Sequence, residues 1–285
     1  MRKILLPTDF SANALNAIYY ALELNKDKNC KFYILNVIKA SAFITDDLMA
    51  MPPTESLYKS LIESSQTQID ELIIDLKKKF KNDKHKFISI VDYDNFIDAI
   101  NQLIKKEAID LIIMGTKGAS NIDKILFGSN TIRVIQRGIC PVLSVPNNFS
   151  YKPLKKIIFL SNYLNRYNPN DLKVLVDLVD KQNYKIEILH IKKSKQLSEI
   201  QIHNKAFIDE YFSNYNHEFI ELDKKDLMKS ITNYIANQNV NLLAMMSKKH
   251  TFLERLFNKH IVEKLTFNLN IPLLVMENNI KKENP

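Results

Sequence analysis

At 285 residues the chain is long for one compact core and comfortable for two. Hydrophobic residues make up 46% and charged residues 25%, which excludes a disordered chain, and every apolar run is too short to cross a bilayer. The net charge of +8 raises the question of nucleic acid, but lysines such as Lys77, Lys78 and Lys79 fall in helical stretches where charge marks a solvated face. With no zinc-finger spacing and no basic-aromatic stretch, neither nucleic acid nor a membrane is expected as a partner.

Strands and helices are predicted in alternation, the signature of a parallel sheet covered by helices, so the class is α/β. Lys3 to Leu6 reads as the first strand, followed by Ser11 as a helix N-cap and by Ala14, Leu15, Ile18 and Leu22 on one helical side. Asp9 interrupts the opening apolar run too early for a signal-peptide core, and a cytoplasmic protein is expected. Phe32 to Val37 is the second strand. A stretch with Pro52 and Pro53 leads to a long amphipathic helix carrying Leu57, Leu61, Ile69, Leu72, Ile73, Leu76 and Phe80. Phe87 to Val91 is the third strand, a helix with Phe96, Ile97, Ile100 and Ile104 follows, and Asp110 to Met114 and Pro141 to Val145 are strands four and five. Cys30 and Cys140, the two cysteines, are too few for a disulfide framework or a metal cluster and read as buried small residues.

The order then begins again. Lys156 to Leu160 repeats the first strand and Tyr184 to His190 the second, while Val240 to Met246 lies over Ile109 to Gly115 and Ile271 to Val275 over Cys140 to Ser144. Both closing blocks share an offset of 131, so two domains are expected, 1–150 and 151–285, with the boundary in the polar stretch Asn147 to Pro153.

The chain has four glycines, and all lie between Gly115 and Gly138. Glycine is needed where backbone takes positive φ or approaches a ligand closely. Gly115 and Gly118 follow strand four, and Gly128 precedes Ser129-Asn130-Thr131 and a helical pattern, so the loop opens a helix whose free N–H groups suit a phosphate. It also lies at the carboxyl ends of the strands, where open parallel sheets bind ligands. Gly138 is read as the left-handed cap of the last helix and is left out of the site. Asp9, at the end of strand one, accepts from ribose hydroxyls on one reading and caps the first helix on another.

Gly115-x2-Gly118-x9-Gly128-Ser129-Asn130 resembles the ATP-binding signature of universal stress proteins, and Ile4 to Ser11 and Cys140 to Pro146 resemble that family's first and last strands. The resemblance covers residues 1–147; the second half is similar in its strands, as in tandem members. It implies two doubly wound five-stranded parallel domains of the adenine nucleotide alpha hydrolase kind, joined through their fifth strands into an intramolecular pseudo-dimer. It implies ATP, with Mg2+ as an optional companion, bound by Pro7, Thr8, Asp9 and Val37 around ribose and adenine. Met114 and Gly115 would border the nucleoside, with Gly118, Gly128, Ser129, Asn130 and Thr131 around the phosphates.

In the second half the same offset puts Met246, Lys249 and Lys259 in place of Gly115, Gly118 and Gly128, and Asn162 stands opposite Asp9. That half is expected to bind no ATP in the family's manner. Lys248, Lys249, His250, Arg255, Lys259 and His260 form a basic cluster read as solvated surface, and the histidines fit no metal spacing. No catalytic residue can be named, since Walker, kinase and dinucleotide motifs are absent. The expected function is a stress-response or regulatory protein sensing adenine nucleotide, at most a slow ATPase. A protein-binding module without nucleotide is the alternative, and a protein partner and a homodimer stay open.

Overall fold

Short runs of branched and aliphatic residues become strands, and side-chain oxygens placed before amphipathic stretches start the helices. The computed structural model describes residues 1–38, 55–93, 95–116, 129–164, 167–179, 184–192, 196–223, 227–247 and 270–277. The first half comprises β1 Arg2–Pro7, α1 Ala12–Leu24, β2 Cys30–Val37, α2 Glu55–Phe80, β3 His85–Asp92, α3 Phe96–Glu107, β4 Leu111–Gly115, α4 Ser129–Arg137 and β5 Val142–Val145. The second comprises β6 Lys156–Leu160, α5 Pro169–Val176, β7 Lys185–Lys192, α6 Glu199–Phe212, β8 His217–Asp223, α7 Leu227–Asn237, β9 Leu242–Ser247 and β10 Leu273–Glu277.

Ser11 caps α1 by accepting from the Ala14 N–H, as its position predicts. Asn95 and Asn168 cap α3 and α5 in the same way, and Ser198 with Gln201 forms a reciprocal capping box on α6. Gly138 departs from expectation. Its N–H bonds back to the Val134 carbonyl at 2.7 Å, but its φ is not positive, so it is no left-handed cap. Glycine is needed there because a Cβ would sit 2.4 Å from the Val134 oxygen.

Among the described residues the strands form one ten-stranded sheet in the order β3-β2-β1-β4-β5-β10-β9-β6-β7-β8. Each half contributes five strands, parallel within the half, and the halves meet where β5 runs antiparallel to β10. The joint expected from the sequence is present. Leu143 faces Leu274 there, and since those residues are equivalent under the offset of 131, the approximate two-fold axis passes between them. Both are fully buried, and the pairing removes two sheet edges that would otherwise stand open.

Side chains alternate across the pleat, so Ile4 and Leu6 enter the core beneath α1 and α2 while Leu5 enters the core beneath α3 and α4. Each core continues across the joint: the first includes Phe159, Leu172 and Phe212, the second Ile158, Ile231 and Leu243. Cys30 and Cys140 are buried free thiols. The stretch between halves packs on α1, where Tyr20 meets the rings of Phe149 and Tyr151 and Asn16 donates to the Pro146 and Phe149 carbonyls. No helix among the described residues is long and apolar enough to cross a membrane.

Candidate functional site

In the first half the chain winds outward from β1 to β2 and β3, then returns to place β4 and β5 on β1's other side. The carboxyl ends of β1 and β4 therefore border a crevice at a topological switch point, the place where such sheets bind ligands. Leu5 lies opposite Ile112 in this pair.

The turn that leaves β1 is built by short-range bonds. Thr8 donates its N–H to the Leu35 carbonyl at 2.8 Å and accepts the Phe10 N–H on its hydroxyl at 3.0 Å. Asp9 accepts the Ser11 N–H on Oδ1 at 3.1 Å, and Phe10 takes a left-handed φ of 59°. Because Ser11 fills the N-cap of α1, Asp9 is not the cap; it is exposed, just past the carboxyl end of β1. Pro7 and Thr8 are buried behind it. Sequence reasoning missed Asn36, whose buried amide donates to the Thr8 carbonyl at 2.8 Å. The signal was there: a lone amide in the apolar run Phe32 to Val37.

On the β4 side, Thr131 donates its hydroxyl to the Gly115 carbonyl at 2.8 Å, with both groups buried. This bond pins the first turn of α4, where helical N–H groups lack intrahelical partners, over the end of β4. The Thr131 hydroxyl proton is thereby committed to the fold. Met114 belongs to the core on the α3 and α4 face, and Val37 packs against that core. Gly115 has a packing role that sequence reasoning did not anticipate. A Cβ there would lie 2.8 Å from the Asn13 carbonyl oxygen, so its bareness admits the backbone of α1. Gly118 and Gly128 lie outside the described residues.

The second half repeats the turn with different residues. Ser161 donates to the Leu189 carbonyl at 3.0 Å, its hydroxyl accepts the Tyr163 N–H, Asn162 Oδ1 accepts the Leu164 N–H, and Tyr163 has a φ of 56°. Asn162 thus occupies the geometry of Asp9 without its charge. His190, pushed below the usual histidine value by burial, donates from Nδ1 to the Ser161 carbonyl at 3.0 Å, where Asn36 serves the first half. Met246, the counterpart of Gly115, is a buried core side chain. The basic cluster from Lys248 to His260 lies outside the described residues.

A model of the universal stress protein family matches residues 1–146. Two universal stress proteins of Methanocaldococcus jannaschii are 29% identical over 144 residues and 30% identical over 154 residues, each match covering 50% of this chain and 81% and 94% of the relative respectively. The crystal structure of a universal stress protein from Archaeoglobus fulgidus DSM 4304 superposes with a TM-score of 0.66 at 17% identity, covering 97% of this chain and 96% of that one, and so shares the fold of the whole chain. With the family's model spanning just over half of its length and its fold extending through the rest, this chain belongs to the universal stress protein family.

Proposed function

We propose that the first half binds ATP in the crevice between β1 and β4 and that its occupancy is a regulatory signal, with the second half as a structural partner that lacks the site. The observation that carries this reading is the Thr131 to Gly115 bond, which ties the N-terminal turn of α4 to the carboxyl end of β4, the neighbour of β1. Backbone N–H groups and a positive helix end favour a polyphosphate there, an exposed carboxylate suits ribose hydroxyls, and Val37 and Met114 suit a base. The family's glycine pattern adds Gly118 and Gly128, with Ser129 and Asn130, as the rest of the phosphate cradle.

Magnesium fits as the nucleotide's companion, since it takes one or two carboxylates together with phosphate oxygens and Asp9 offers an exposed carboxylate. In this reading the two halves, 1–150 and 151–285, are separate domains of one cytoplasmic stress-response protein. The asymmetry between Asp9 with Gly115 and Asn162 with Met246 supports a single nucleotide per chain. Mass spectrometry of the purified protein tests the ligand's identity, and replacing Gly128 with a bulky residue tests the cradle: ATP binding should be abolished. A variant that still binds ATP as well as the parent chain refutes the assignment.

A further inference from the structure

Asn36 is a buried amide within β2, preceded by the buried residues Phe32, Tyr33, Ile34 and Leu35. Its two ends face different elements. Nδ2 donates to the Thr8 carbonyl at 2.8 Å, in the turn that sets Asp9, and Oδ1 accepts from the Ser65 hydroxyl of α2 at 3.1 Å. One helical position further on, Gln66 donates to the Ser89 hydroxyl of β3 at 2.8 Å, so this part of α2 is fastened to the sheet edge as well.

We propose that Asn36 is a positioning residue for the nucleotide site and that the relay Ser65 to Asn36 to Thr8 couples α2 to nucleotide occupancy; this rests on the ATP reading above. The second half supplies the comparison within the same chain. There the equivalent carbonyl, Ser161, receives its bond from His190, and α6 fastens the turn directly: Gln201 donates to the Asn162 carbonyl at 2.9 Å and Asn204 to the Tyr163 carbonyl at 2.7 Å. In the bonds described, the first half connects α2 to the turn through the Asn36 side chain, and the second half bonds α6 to the turn directly. A two-bond relay transmits a shift of the turn to α2. By reciprocity, whatever α2 does to the turn alters nucleotide affinity by the same factor.

The test compares the full-length wild type with N36A, N36H and S65A, using ATP calorimetry together with hydrogen exchange with and without ATP. Removing the amide leaves a buried carbonyl without this donor, and N36A should bind ATP about fivefold to twentyfold more weakly. N36H should recover affinity to within about threefold of wild type, because an imidazole makes this bond in the second half. The wild type should gain protection at α2 on adding ATP, and S65A, which removes a half-buried hydroxyl, should keep the fold and bind ATP without that gain. A wild type that binds no ATP overturns the nucleotide reading and this proposal with it. A wild type that binds, with N36A equal to it or N36H no better than N36A, overturns the positioning role alone. If N36A does not fold, the S65A exchange pattern decides: unchanged protection at α2 refutes the relay.

Discussion

Gly115→Ala separates packing from ligand binding in one substitution. The added Cβ would stand 2.8 Å from the Asn13 carbonyl oxygen and 3.1 Å from its carbon, both backbone atoms near the start of α1. A flexible side chain would move aside, but α1 is a helix of 13 residues whose buried positions, among them Ala14, Ala17, Ile18, Ala21 and Leu22, hold it on the sheet. Relief therefore requires shifting the helix or bending β4, and overpacking of this kind costs about 1 to 3 kcal/mol. Alanine restricts the unfolded chain and returns about 0.4 to 1 kcal/mol, which leaves a net loss of up to about 2.6 kcal/mol, centred on about 1. Urea unfolding without nucleotide should show a lower midpoint with an unchanged slope. A midpoint equal to or above that of the parent chain would mean that α1 does not press on Gly115, and the packing account of this glycine would fail.

Thr131→Val keeps the side-chain shape and removes the donor to the Gly115 carbonyl, so stability should fall by about 1 to 3 kcal/mol and ATP binding should weaken as the start of α4 loosens. Unaltered unfolding and binding would show that the bond does not hold the helix. Leu143→Ala empties a fully buried position at the joint of the half-sheets and should cost about 2 to 5 kcal/mol by urea unfolding. Acid should weaken the fold through His85 and His190, both pushed below the usual histidine value by burial. The unfolded chain then binds more protons, so their contribution is intact above about pH 6.5 and is lost as pH falls from there through the lower folded values. Urea midpoints at pH 7.5 and 5 should differ in that direction, and the double replacement of His85 and His190 by Gln should flatten the difference.

Much of the fold could be read from apolar periodicity because buried parallel strands are nearly continuous aliphatic runs. Lys156 to Leu160 was delimited to the residue, and β1, β2 and β4 to within two. The edge strand β8 escaped notice, since His217 to Asp223 intersperses charged and apolar residues as a half-exposed strand does. The β5 to β10 joint was legible through the repeat offset, which makes Leu143 and Leu274 equivalent. Less accessible were contacts between residues distant in sequence. Nothing adjacent to Gly115 announces that Asn13 occupies its empty side, and nothing near Thr131 names the Gly115 carbonyl as its acceptor. Gly138 shows the limit of a local rule: a glycine after a helix suggested a left-handed residue, whereas the constraint is the Val134 oxygen. Asn36 could have been found as the polar exception in β2, although its partners required the folded chain.

The central claim is one adenine nucleotide per chain, held by the first half. Calorimetric titration of the full-length protein with ATP and Mg2+ measures it directly: the account predicts saturation at one equivalent, abolished by replacing Gly128 with a bulky residue. Two equivalents bound alike, or no binding at millimolar ATP, would contradict it.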